Sequence, residues 1–171
     1  HFHWTNAQLC FGEILHLAGK IPLPPYLNRD SEESDKTNYQ TVYAQEDGSV
    51  AAPTAGLHLT EELFSALREK HINTAMLTLH VGAGTFKPVK TNTAEEHDMH
   101  SEFIEVRQEL LEVLLQKPEQ TRIAVGTTSL RTLESLYWMG VKLIQEPHLK
   151  LEHVKLTQWE AYSLPQEYSF T

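Results

Sequence analysis

The sequence predicts an α/β domain in which a mixed sheet is flanked by helices. Strand-like and helix-like apolar patterns alternate through residues 72–140. That alternation favours strand–helix–strand units with at least some parallel pairing. A short apolar run, Arg122 to Val125, leads through Gly126 into a helix-period segment, as a buried strand feeding a helix does. The chain has 171 residues, enough for one domain with a real core.

Taken in order, residues 1–6 read as the end of a strand leaving another structure. Residues 7–19 fit a helix in which Leu9, Cys10, Glu13, Ile14, Leu17 and Ala18 follow a helical period and Gly19 suits the stop. Cys10 is a single cysteine, which rules out an internal disulfide, and its place in this run reads as that of a small core residue, with catalysis the remote alternative. Pro22, Pro24 and Pro25 hold the next segment extended. The polar, acidic stretch 29–38 reads as an exposed loop, and Tyr39 to Ala44 as a short β-prone segment.

Thr60 has the chemistry of a helix N-cap, with Glu61 and Glu62 near the positive end of the dipole and Leu63, Phe64 and Leu67 on the apolar face. Ile72 to Val81 predicts a strand, Phe103 to Val106 a short strand, and 107–116 a helix. The helix after Gly126 is expected to run to about Met139, with Gly140 closing it. The tail is less regular, with a candidate strand within Leu149 to Leu156.

Composition narrows the function. Formal net charge is −9, the wrong sign for a simple electrostatic binder of nucleic acid and no argument for DNA binding. No apolar run approaches membrane-span length and no signal peptide is visible, so a cytoplasmic protein without membrane contact is expected. A small-molecule enzyme fits the charge best.

Four segments carry chemistry. Gly126-Thr127-Thr128-Ser129 stands at a predicted helix start, where unpaired backbone donors, the dipole and three hydroxyls suit a carboxylate, ribose or phosphate. It lacks the spacing and lysine of a nucleotide-binding P-loop, and a plain helix cap explains it equally well. In the same helix Arg131 and Glu134 have the spacing of an exposed ion pair. The second segment runs from Thr78 through His80, Gly82, Gly84 and Thr85 to Phe86. Its glycines either let a backbone approach a ligand or make a turn, and His80 is either structural or catalytic.

The third segment is His97-Asp98-Met99-His100-Ser101-Glu102. On a helix His97 and His100 share a face; in an extended run His100 and Glu102 do. The set suits proton transfer, a divalent metal, or a solvated loop, and it lacks a third strong ligand at standard metal spacing. The fourth is Ala51 to His58, a small-residue loop shaped by Pro53 and Gly56, with His58 just before a helix start.

These segments, together with Ile21 to Tyr26 and Tyr39 to Ala44, occur in the order and rough spacing of one family. The chain resembles the S-adenosylmethionine:tRNA ribosyltransferase-isomerases over about residues 8–140. Each motif alone is weak, whereas the ordered set is specific. Leu59 departs from the family's usual phenylalanine, a conservative change in a packing position.

The resemblance implies a two-domain enzyme whose α/β domain is interrupted by a β-barrel. On that basis residues 1–6 are the residual end of the barrel insertion and 7–171 part of the α/β domain. The family's N-terminal segment and its C-terminal Thr-Asn-Phe-His-Leu-Pro motif are then expected outside this chain, which is read as an internal fragment, with or without activity of its own. The implied reaction moves the ribosyl part of S-adenosylmethionine to a 7-aminomethyl-7-deazaguanine base at the tRNA wobble position. Adenine and methionine leave, and epoxyqueuosine results. No metal or redox cofactor is implied; S-adenosylmethionine is a substrate and tRNA the partner.

Set against that chemistry, His97, His100 and Glu102 are the expected proton-transfer groups, with His58 and His80 as second candidates. Thr127, Thr128, Ser129 and Arg131 are expected to hold a polar end of the donor, and Gly82, Gly84 and Thr85 to line the substrate. Lys87 and Lys90 are candidates for phosphate contacts or plain surface lysines. The rival readings are a metal-dependent hydrolase built on His97, His100 and Glu102, and a non-catalytic fragment that binds nucleotide or tRNA.

Overall fold

The computed structural model describes residues 3–6, 8–46, 49, 51–86, 90–116 and 119–168. Helix α1 spans Phe11–Ala18. It starts later than the apolar period suggests because Glu13 reaches back to accept the Cys10 backbone N–H at 2.7 Å, the second half of a capping box. That bond holds the Glu13 carboxyl below its usual range. Trp4 packs its ring on Phe11 and donates its indole N–H to the Leu9 carbonyl at 2.9 Å. Cys10 is exposed, so its expected core role is wrong: the cap leaves it at the helix entrance rather than on the inner face.

The proline-rich segment passes through a 3-10 turn at Pro25–Leu27. The acidic stretch that follows is exposed over most of its length, as expected, and contains a short helix, α2, Asp35–Asn38. Asp35 is buried because Arg29 grips both of its oxygens, at 2.8 and 2.7 Å, and the Glu32 N–H adds a third bond at 2.7 Å.

Tyr39 to Ala44 forms a turn rather than a strand, closed by the Ala44 N–H on the Thr41 carbonyl. Aromatic burial wins over β-propensity there. The Tyr43 ring meets Phe64 edge-on at 5.9 Å, and its hydroxyl fills the space where a side chain on Gly56 would stand. Burial pushes the Tyr43 phenol up. Helix α3, Glu61–Glu69, starts as expected: the Thr60 hydroxyl accepts the Leu63 N–H at 3.3 Å. Phe64 is its buried residue.

Strand β1, Thr78–His80, pairs antiparallel with β2, Phe103–Glu105, placing Thr78 opposite Glu105, Leu79 opposite Ile104 and His80 opposite Phe103. Among the described residues this is the sheet. The molecule is therefore mostly helical with one short antiparallel pair, and the expected parallel pairing is not formed. Arg122 to Val125 has no strand partner and Ile123 is 84% exposed, so the expected buried strand is absent. An apolar run becomes a strand only where a neighbouring edge receives it. Leu149 to Leu156 holds a 3-10 turn, Leu151–His153, instead of a strand.

Helix α4 covers Gln108–Gln116 and α5 covers Thr127–Gln145. Gly140 does not end α5. The apolar period continues through Val141, which is only 2% exposed, and that burial outweighs the roughly 1 kcal/mol a helical glycine costs relative to alanine. Ala51, Phe64, Val81 and Val141 are among the buried apolar side chains of the described residues. Among the described residues no helix is long and apolar enough to cross a membrane.

Candidate active site

The site is organised by Glu102, one residue before β2. Its side chain is only 5% exposed. One oxygen lies 3.1 Å from Nε2 of His100, and the other accepts a bond from Nη2 of Arg131 on α5. His100 and Glu102 are two apart in an extended run, so their side chains fall on the same side. Arg131 is claimed by Glu102 across 29 residues, so the expected neighbour pair with Glu134 gives way to a tertiary one.

Gly84 packs directly on His100. A Cβ placed on Gly84 would stand 2.8 Å from His100 Cβ and 2.9 Å from its Cγ. The glycine of this 3-10 turn, Ala83–Phe86, is thus required by the histidine. Gly82 differs, since a Cβ there would meet nothing within 4 Å. His80 lies on β1 with its ring 5.6 Å from Phe103, half-buried.

Gly126 caps α5 without a side-chain bond, at φ 98. This conformation, and the 3.4 Å from a Cβ there to Ala55 Cβ, bring the small-residue loop against the helix start. Thr127, Thr128 and Ser129 form the first turn of α5, with their backbone donors outside the intrahelical ladder. Thr132 is buried and turns its hydroxyl onto the Thr128 carbonyl at 2.9 Å.

All four chemistry-bearing segments therefore adjoin one another: Ala55 at Gly126, Gly84 at His100, and Glu102 at Arg131. His97 is half-buried in the same run as His100. His58 and Thr85 are exposed, with no described bond to this cluster. Lys87 lies outside the described residues and Lys90 is exposed. Among the described residues no three His, Cys, Asp or Glu side chains converge as a metal-binding group.

Two contacts have no local sequence signal. The Ser49 hydroxyl donates to the Leu79 carbonyl at 2.9 Å and accepts the Val81 N–H at 3.0 Å. The Gln158 amide accepts the Met99 N–H at 3.0 Å and donates to the His97 carbonyl at 2.9 Å. Both span tens of residues, so neither period nor motif reveals them.

A family model described as queuosine biosynthesis protein matches residues 2–159, more than nine-tenths of the chain. The chain belongs to the queuosine biosynthesis protein family. The match includes all four segments, Ser49 and Gln158. No solved structure matches the chain. Membership places the Glu102 cluster in a protein of queuosine biosynthesis, which agrees with the resemblance drawn from the ordered motifs.

Proposed function

We propose that this chain carries part of the catalytic site of an S-adenosylmethionine:tRNA ribosyltransferase-isomerase. The supporting observation is the Glu102 carboxylate shared between His100 and Arg131, with the Gly84 loop closed over the histidine. The reaction moves the ribosyl group of S-adenosylmethionine to the aminomethyl group of the deazaguanine at the tRNA wobble position. It yields epoxyqueuosine with release of adenine and methionine. No metal or redox cofactor enters.

The chemistry needs a group to take a proton from the 5′ carbon beside the sulfonium and another to help adenine leave. Histidine suits both near neutrality. His100, oriented by Glu102, fills one role and His97 in the same run is the candidate for the other, with His80 and His58 as second candidates. Arg131 uses one nitrogen on Glu102 and keeps its remaining donors for the methionine carboxylate. Thr127, Thr128 and Ser129 offer hydroxyls and backbone N–H groups beside it. Gly82, Gly84 and Thr85 line the approach. The protein works in the cytoplasm, and the acidic chain meets tRNA through a local face.

The test is adenine release from S-adenosylmethionine with tRNA bearing the aminomethyl-deazaguanine base. It is run for this chain and for an extended protein that contains it. Release by the extended protein supports the reading. Normal turnover in its His100→Ala variant sinks the proton-transfer role. Binding of tRNA with no adenine release from either protein favours a docking function instead.

A further inference from the structure

The run that carries His97 and His100 has no regular secondary structure, yet it must hold its histidines still. One side chain supplies the missing backbone partners. Gln158 accepts from Met99 N–H at 3.0 Å and donates to the His97 carbonyl at 2.9 Å, the two bonds a paired strand would make. They bracket Asp98 and end one residue before His100.

Gln158 is itself anchored. Lys142 of α5 pairs with Glu160 and donates to the Lys155 carbonyl at 3.0 Å, while Glu160 accepts the Thr157 N–H at 2.8 Å. The Lys142 and Glu160 side chains are only 16% and 20% exposed, and the lysine holds the Glu160 carboxyl below its usual range. Helix α5 thus grips the histidine run at two places. Arg131 holds it through Glu102, and Lys142, about 16 Å further along the helix, holds it through Glu160 and Gln158. The result is a closed loop of contacts in which Gln158 is the strut.

We infer that Gln158 is a positioning residue that fixes the His97–His100 run for proton transfer, an inference that rests on the ribosyl-transfer reading above. Both side-chain bonds of Gln158 among the described residues go to backbone, so its effect falls on geometry and not on substrate affinity.

Two readouts test this. Amide hydrogen exchange at Met99 is measured in this chain, and steady-state adenine release in the extended protein. In Gln158→Ala, Met99 exchange accelerates and kcat falls about tenfold, while KM for S-adenosylmethionine stays within about twofold. Gln158→Glu keeps the acceptor for Met99 but loses the donor to His97, so it retains Met99 protection and still loses kcat. Unchanged Met99 exchange in Gln158→Ala overturns the inference, and so does faster exchange with unaltered kcat. Absence of adenine release from the unsubstituted protein removes the reaction itself, and with it the positioning role, whatever Met99 does.

Discussion

A methyl group on Gly84 would stand 2.8 Å from the Cβ of His100, closer than packed carbons approach. The neighbouring Gly82 has open space in the same direction. Gly84→Ala is therefore expected to push His100 away from Glu102 and to destabilise the chain by about 1–3 kcal/mol, the usual cost of overpacking. Gly82→Ala is expected to stay within about 0.5 kcal/mol. Paired thermal melts, with adenine release by the extended protein, check this. Equal behaviour of the two variants would remove the steric argument.

The Arg131–Glu102 bond predicts an asymmetry. Glu102 is 5% exposed at its side chain and Arg131 is 42% exposed. Arg131→Ala strands a nearly buried carboxylate, whereas Glu102→Gln leaves a cation that water reaches. After allowing for solvent screening at Arg131, losses of about 2 kcal/mol and about 1 kcal/mol are expected, read from urea unfolding midpoints. Arg131→Lys recovers only part of the loss, since an ammonium lacks the planar fork.

Asp35 sets a pH dependence. The Arg29 guanidinium, then the Glu32 N–H, hold its carboxyl down to about 2 from 3.8. A lowered folded-state pKa favours the fold fully above the unfolded value and loses that contribution as the carboxyl is protonated in the folded state. Asp35→Asn is therefore expected to destabilise at neutral pH. The gap from the unsubstituted chain should close as pH falls from about 4 to about 2. Denaturant midpoints across that window measure it; a gap independent of pH would contradict the pairing.

Gly140 sits inside α5, and a Cβ added there would meet nothing within 4 Å. Alanine restricts the unfolded chain at this position without a clash. Gly140→Ala is expected to stabilise by about 0.5–1 kcal/mol, seen as a raised Tm.

The sequence announced the features that are settled locally. The Thr60 cap, α3, α4, the start of α5 and β2 follow from period and capping chemistry within a few residues, whereas β1 keeps only Thr78–His80 of the strand expected over Ile72 to Val81. The chemistry-bearing segments were legible as motifs, and the extended alternative for His100 and Glu102 is the arrangement found. The failures are tertiary. Tyr43 turned away from a strand to meet Phe64, and Arg131 left Glu134 for Glu102. Arg122 to Val125 lacked a partner strand, and the parallel sheet expected through it did not form. Distant partners such as Gln158 and Ser49 leave no periodic trace at all.

The pair of bonds at Ser49 closes a piece of open strand edge. A three-residue strand such as β1 would otherwise offer the Leu79 carbonyl and the Val81 N–H to any passing chain. One hydroxyl occupies both, where a whole strand would be needed to satisfy them by ladder pairing. A single loop serine thus closes the two groups on that edge through which a further strand would join β1.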